Sequence, residues 1–357
     1  MSLKVGIVGL PNVGKSTLFK AVTKKQVDCA NFPFCTIEPN VGVVAVPDDR
    51  LNRLSEVSKS KQTIPTTVDF VDIAGLVKGA SEGEGLGNQF LSHIREVDAI
   101  IEVIRAFEND DIVHVSGKID PADDVETINL ELIYADLSVV GKRLDGLRKS
   151  MKAGETHEQK LALSAFEKVN ALLSVGRPAR EADLTEDEAK PIKDVHLLTA
   201  KPLLYVVNVD ETQLKSDFRI PSLPSELQIP LCVKMEEEIA ALPAEEVQEY
   251  LDALGLSMTG LDQLIRASYD LLGLITYFTS GEKESRAWTV RRGTKAPQAA
   301  GVIHTDFEKG FIRAEVINWR DFVELGEVGS KEAGKLRVEG KEYVMQDGDT
   351  CHFRVST

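Results

Sequence analysis

Cysteine is scarce in this chain, with four in 357 residues, and Cys29, Cys35, Cys232 and Cys351 stand in no paired or metal-type spacing. That pattern argues against a disulfide framework or a zinc site. Long apolar runs are missing too. No stretch reaches the roughly 18 residues that a membrane-spanning helix needs. The opening residues, MSLKVGIVGLPNVGKS, lack a basic segment, an apolar core and a cleavage site, and read straight into a strand. The expectation is a cytoplasmic protein with no membrane contact. Basic residues are in deficit, 42 Lys+Arg against 57 Asp+Glu for a net charge of −15. Such a surface repels phosphates overall, which excludes generalised nucleic-acid binding and any DNA specificity.

What is present is an ordinary globular balance, 43% hydrophobic and 28% charged. The length suggests two or three domains. Charge is placed unevenly. From Tyr277 onward there are 13 Lys+Arg and 13 Asp+Glu, which leaves 29 against 44 in the first 276 residues and so the whole −15. A neutral C-terminal piece on an acidic body marks a boundary.

The first part alternates strand-like and helix-like segments. Strands are expected at Leu3–Val8, Val41–Val46, Thr67–Val71, Ala99–Ile104, Leu203–Val207 and Ile229–Val233. Strands separated by helices imply an α/β domain whose mostly parallel sheet is covered on both faces. Ligands of such sheets sit beyond the carboxyl ends of the strands. Between the fourth and fifth strands, Ile133, Leu137, Val140, Leu144, Leu147 and Met151 form a heptad seam, and Ala162, Phe166, Val169 and Leu173 repeat it after a turn at 152–156. An inserted antiparallel helical hairpin fits this pattern; two amphipathic helices laid on the sheet are the alternative. A polar segment, Arg180–Lys190, leads back to the sheet. Past Tyr277, short strand candidates at Ala287–Val290, Phe311–Val316 and Tyr343–Met345 suggest a small α+β domain. The expected division is 1–130 and 198–276 for the α/β domain, 131–197 for the hairpin, and 277–357 for the last domain.

Gly9-Leu-Pro-Asn-Val-Gly-Lys15-Ser16 fits the P-loop pattern GxxxxGK[ST]. Glycines let the backbone wrap closely around phosphates with its N–H groups inward, and the helix that follows turns its positive end to the same anion. The expected nucleotide contacts here are Asn12, Val13, Gly14, Lys15, Ser16 and Thr17. Lys15 is assigned to the β- and γ-phosphates, and the Ser16 hydroxyl to Mg²⁺. Asp72-Ile-Ala-Gly75 fits a DxxG element, with Asp72 orienting Mg²⁺ and the Gly75 backbone sensing the γ-phosphate. Between the two motifs, Asn31–Thr36 occupies a GTPase-like switch position and offers Thr36 to the metal. The glycine- and carboxylate-rich 81–87 segment reads as a second switch, or as a plain flexible loop.

Base recognition departs from the GTPase pattern. Where NKxD would follow the fifth strand, the chain has Asn208-Val209-Asp210-Glu211. Glu is one methylene too long to meet guanine's edge in the same plane, and Val replaces the lysine that packs along the base. This favours ATP over GTP, with Asn208, Val209 and Glu211 at the base; a GTPase using Asp210 is the competing reading. Leu76 stands where many GTPases carry a water-orienting Gln. Hydrolysis must then be slow or borrow a polar group. His114 is the first candidate beside Lys15, His93 the second, and Arg95 and Arg105 are candidate arginine fingers.

The segments GLPNVGKST, NFPFCT, DIAGLVKGASEGEGLGNQFL, FENDDIVHV and NVDE together resemble the Obg-like ATPase family of TRAFAC-class P-loop NTPases, in its bacterial branch, over essentially the whole chain. The resemblance implies a GTPase-like nucleotide domain, an inserted coiled-coil hairpin and a C-terminal TGS domain of ubiquitin-like fold. It also implies slow ATP hydrolysis with Mg²⁺ and association with ribosomes through the large subunit or RNA. Cys232-Val233-Lys234 stands in place of the fifth GTPase element, usually SAK, in degenerate form. A basic patch with an aromatic (Arg286, Trp288, Arg291, Arg292, Lys295, His304), with no acid between Ser285 and Thr305, fits RNA contact. Lys142, Arg143, Arg148, Lys149 and Lys152 cluster near the tip of the hairpin's first arm. A monomer is expected. A metabolic kinase and a non-hydrolysing nucleotide-sensing scaffold are the rivals from other classes.

Overall fold

The computed structural model describes residues 3–26, 40–73, 86–109, 118–152 and 154–356. Thr36, Gly75, Leu76, His114, Cys29 and Cys35, and most of the expected second switch, lie outside the described residues. The chain divides into two compact units: 1–42 with 69–261, and 43–68 with 262–357.

The first unit is built on β1 (Lys4–Gly9), β4 (Thr67–Asp72), β5 (Ala99–Arg105), β6 (Leu203–Asn208) and β7 (Gln228–Leu231), with β2 (Val41–Ala45) at the sheet's edge. The order is β2-β4-β1-β5-β6-β7. The pairs β1–β4, β1–β5, β5–β6 and β6–β7 are all parallel. Every residue of β5 and β6 is buried, the continuous apolar signature of strands covered on both sides. The chain leaves this unit along β2 and returns along β4. In the other unit are α2 (Asp49–Ser58) and the two-residue β3 (Thr63–Ile64).

Helices α1 (Lys15–Lys24) and α3 (Leu86–Arg95) connect the early strands. The heptad seam forms α4 (Pro121–Met151) and α5 (His157–Ser174). Pro121 at the first turn and the Asp120 side chain, which accepts from the Asp123 N–H, start α4. Thr156 and Gln159 start α5 with a reciprocal capping box. Ile133, Val140 and Leu144 pack with Phe166, Val169 and Leu173 in one buried cluster. Midway along α4 the buried Asp136 accepts from the Leu198 and Thr199 N–H groups at 2.9 and 2.8 Å and from the Thr199 hydroxyl at 2.7 Å, tying the hairpin to the segment that returns to the sheet. That returning segment is not simply a linker. Thr185 and Glu188 make a second capping box and start α6 (Glu186–Lys193), and Lys168 of α5 pairs with Glu188 at 2.7 Å. The unit is completed by α7 (Glu211–Lys215), α8 (Val233–Ile239), α9 (Ala244–Leu254) and the start of α10 (Gly260–Leu271).

The second unit carries β8 (Leu274–Ser280), β9 (Ser285–Arg291), α11 (Ala296–Ile303), α12 (Thr305–Lys309), β10 (Phe311–Asn318), α13 (Trp319–Glu332), β11 (Arg337–Glu339) and β12 (Asp349–Val355). Its sheet runs β11-β10-β12-β8-β9-β3. One face buries Tyr277, Val316 and Phe353 with the alanines of α11. The other buries Phe278, Ala287 and Ile317 with Leu51 and Leu54 of α2 and Phe322 of α13. Those two leucines are why 43–68 groups with the C-terminal residues. The expected boundary at Tyr277 falls inside β8, which starts at Leu274. Tyr343–Met345, expected as a strand, makes only an isolated bridge between Val344 and Lys295.

Candidate functional site

The carboxyl ends of β1, β4, β6 and β7 carry the sequence-nominated residues. After β1 the chain turns through Asn12, with φ of 67°, and Gly14, with φ of 98°. A side chain at Gly14 is excluded twice over. The left-handed conformation disfavours one, and its Cβ would lie 2.3 Å from Asn208 Nδ2. Gly14 is the N-cap of α1 and supplies no side-chain cap, and no acid stands in the first turn. The leading N–H groups of α1 therefore lie at the helix's positive end without a side-chain cap from Gly14 or an acid in the first turn.

Lys15 and Asp72 form an ion pair, so the P-loop lysine and the carboxylate at the end of β4 meet at one point. Asp72 is set there by its N–H, which donates to the Asn40 carbonyl at 2.9 Å, and by the next N–H, Ile73, which donates to Ile7. Ser16 is exposed at the first turn of α1 and Thr17 is half-buried. Val13 is buried, at 1% exposure, and so presents only backbone to a ligand.

Asn208 links three loops. Its amide N–H donates to the Val13 carbonyl at 2.9 Å, and its amide oxygen accepts from the Val233 N–H at 3.2 Å. The P-loop is thus fastened to the starts of α7 and α8 by one buried side chain. The next three residues diverge. Val209 is 2% exposed and its side chain is in the core. Asp210 caps α7, its Oδ1 accepting from the Thr212 and Gln213 N–H groups at 2.8 Å each, while Gln213 accepts from the Asp210 N–H at 3.0 Å. Glu211, the first residue of α7, is exposed. Cys232 is buried as the N-cap of α8 and Lys234 is exposed.

Arg105 is not placed to act as an arginine finger. It is 1% exposed, donates to the carbonyls of Phe107 and Asn109, and stacks over the Phe107 ring. Long and cationic as it is, it serves to hold its own loop. Arg95 and His93 are exposed on α3. Missed from sequence was Glu102 of β5, which is 1% exposed and has one carboxylate oxygen without a hydrogen-bond partner among the described residues. Burial pushes its carboxyl up to about 8, with Arg180 opposing the shift and Asp124 adding to it. An acid inside the run AIIEVIR was the available signal.

In the second unit the proposed basic patch is partly used internally. Arg286 lies 4.2 Å over the Trp288 ring, whose N–H donates to Thr279. Lys295 pairs with Glu342 at 2.6 Å. Arg291 and Arg292 are exposed at the far end of β9, and His304 caps α12. On the hairpin, Arg148 pairs with Glu167 at 3.0 Å.

A parallel sheet whose first strand runs into a glycine-turned helix N-terminus, with lysine and aspartate meeting in front of it, defines a P-loop nucleotide-binding protein of the GTPase-like fold. Residues 4–138 match the model of the 50S ribosome-binding GTPase family. Residues 274–356 match that of the C-terminal region of YchF-type GTPases, described as a protein of unknown function. A Bacillus subtilis protein, "Ribosome-binding ATPase YchF", is 54% identical over 99% of both chains. "Obg-like ATPase 1" of rice is 44% identical over 99% of this chain and 92% of its own. A solved structure titled as the Schizosaccharomyces pombe YchF GTPase superposes with a TM-score of 0.88 at 44% identity, covering 99% of this chain and 98% of that one. The chain belongs to the YchF family of Obg-like ATPases.

Proposed function

We propose that this chain is a switch protein of the ribosome that binds ATP in preference to GTP and hydrolyses it slowly to ADP and phosphate. One observation carries the base preference: at the end of β6 two of the three residues after Asn208 are otherwise engaged, and the third is the longer carboxylate. Val209 is in the core, Asp210 caps a helix, and Glu211 is the exposed carboxylate. Guanine rewards a carboxylate held in its plane, and a buried edge of that kind discriminates by several kcal/mol, roughly. Adenine offers an acceptor and a donor that backbone groups satisfy. The ATPase names of the relatives support this reading; the GTPase title of the fission-yeast structure states the alternative.

In this reading the N–H groups of Asn12 to Thr17 cradle the phosphates, Lys15 reaches the β- and γ-oxygens, and Gly75 senses the γ-phosphate. Asn208 keeps the loop in shape, and Val209 acts through its backbone. The donor set fits Mg²⁺. Ser16 and Asp72 are hard oxygen ligands beside the P-loop, and a nucleotide-bound Mg²⁺ needs only one or two protein oxygens; Thr36 is the third candidate. When bound, the ion neutralises charge on the transferring phosphoryl group. His114 is assigned to the attacking water, since Leu76 can neither donate nor accept. Ribosome-binding relatives and the 50S-binding family model support work at the large subunit and hence in the cytoplasm. RNA contact is assigned to Arg291 and Arg292, and the working state to a monomer.

Single-turnover hydrolysis of ATP and GTP by wild type and Lys15→Ala tests the reading. ATP turnover above GTP turnover is expected, with a loss of about 10²- to 10³-fold in the variant. GTP as the better substrate would contradict the base assignment, and equal rates for wild type and variant would leave only a scaffold.

A further inference from the structure

The second unit contains a cleft that the nucleotide site does not use. Strands β12 and β8 run parallel, but the register joins them at a single pair among the described residues, Thr350 opposite Phe278. The residues that follow on each strand, Thr279–Gly281 and Cys351–Phe353, line a cavity of about 960 Å³. Its apolar lining includes Trp288, Phe307 and Phe353 from one face of the sheet and Ile317 and Phe322 from the other. Trp288 and Phe307 are only half-buried, which leaves aromatic surface for a partner. Thr350, at 5% exposure, also lines the cavity, and its hydroxyl has no hydrogen-bond partner among the described residues. A buried hydroxyl left unpaired is costly, and one at a cavity wall gains a partner when a polar backbone enters.

The rim decides the class of occupant. Among the described residues, Glu282, Glu284, Glu315 and Glu327 border the cleft with Lys283 and His352, and Arg286 lies over the Trp288 ring of its wall. Glu315 is matched by Arg354 and Arg313, which leaves three carboxylates to the Lys283 ammonium and the Arg286 guanidinium. Phosphate is repelled by that rim, so RNA does not fit here, although Trp288 belongs to the patch that suggested it. Arg291 and Arg292 lie at the opposite end of β9 from Ser285, which pairs with Ser280 beside the cleft.

We propose that this cleft seats an extended segment of a basic protein, with apolar side chains in the wall pocket and lysine or arginine at the rim. The peptide backbone lies alongside the strand residues that border the cleft, the strand-addition mode of recognition. The proposal rests on the second unit alone and does not depend on which nucleotide the first unit takes.

The test uses the full chain and a nine-residue peptide alternating lysine with leucine and valine, a copy with glutamate for lysine, and an oligouridylate. Hydrogen exchange of Thr279–Gly281 and Cys351–Phe353 and the tryptophan fluorescence are followed. The lysine peptide should slow exchange in both segments and bind about tenfold more weakly to Glu282→Gln/Glu284→Gln, the sum of two rim charges. An unchanged thermal melt and tryptophan emission of that variant without peptide confirm its fold. Equal binding of the glutamate peptide, protection by oligouridylate in place of the lysine peptide, or no protection of either segment overturns the proposal.

Discussion

The phosphate end and the base end of the proposed nucleotide site are built from different materials. At the phosphate end the backbone does the work: Gly14 leaves no room for a side chain, α1 starts without a side-chain cap, and Val13 turns its side chain into the core. At the base end side chains decide, and three consecutive residues have three fates. Val209 is buried, Asp210 is a helix cap, and Glu211 is exposed. Asn208 is the hinge between the two, bonded to both sides. A backbone-built anion site tolerates little change, whereas a side-chain-built edge changes its ligand through one or two substitutions. Within one fold, phosphate binding can therefore stay fixed while base choice moves.

The largest effect that sharpens this contrast is expected from Val209→Lys. Restoring the lysine of the GTPase pattern places an ammonium in the core, and chemical denaturation should register a loss of about 3 kcal/mol. Stability unchanged by the substitution would mean that position 209 opens to the ligand after all.

The buried carboxyl of β5 gives a pH signature. Glu102 titrates near 4.5 when unfolded and at about 8 when folded. Between those values the unfolded chain gives up the proton and the folded chain keeps it. Stability from this group is therefore full below about 4.5 and is lost as pH rises to about 8. Glu102→Gln should flatten that fall in thermal melts across the window; parallel curves for the two proteins would show that burial does not control this carboxyl.

The smallest effect is at the cap. Asp210→Ala should cost about 1 kcal/mol of stability and leave the ratio of ATP to GTP affinity unchanged. A selective loss of GTP binding would place Asp210 on the base and break the contrast.

Much of this was readable in the sequence where a local rule has one physical solution. The P-loop is such a case, and so is the heptad seam, whose 4-3-4 spacing leaves α4 and α5 little choice but to pack along it. Readings failed where the partner is distant in the chain. Nothing local in Leu51 and Leu54 says that they pack on Phe278 and Ala287, more than 200 residues away. Tyr343–Met345 has strand composition, but Tyr343 instead donates to Asp349 at 2.7 Å and stabilises a turn. The base end was legible as a departure from NKxD, yet the capping by Asp210 emerged only once α7 was placed. Arg105 misled because a charged residue suggests solvent, and burial with carbonyl partners overrides that expectation.

Calorimetric titration of the full chain with ATP and with GTP at fixed Mg²⁺ tests the central claim most directly. The account predicts tighter ATP binding, and a shift toward GTP in Glu211→Asp, where the shorter carboxylate regains the guanine plane. Tighter binding of GTP by the wild type would contradict it, leaving the P-loop assignment in place and the base assignment overturned.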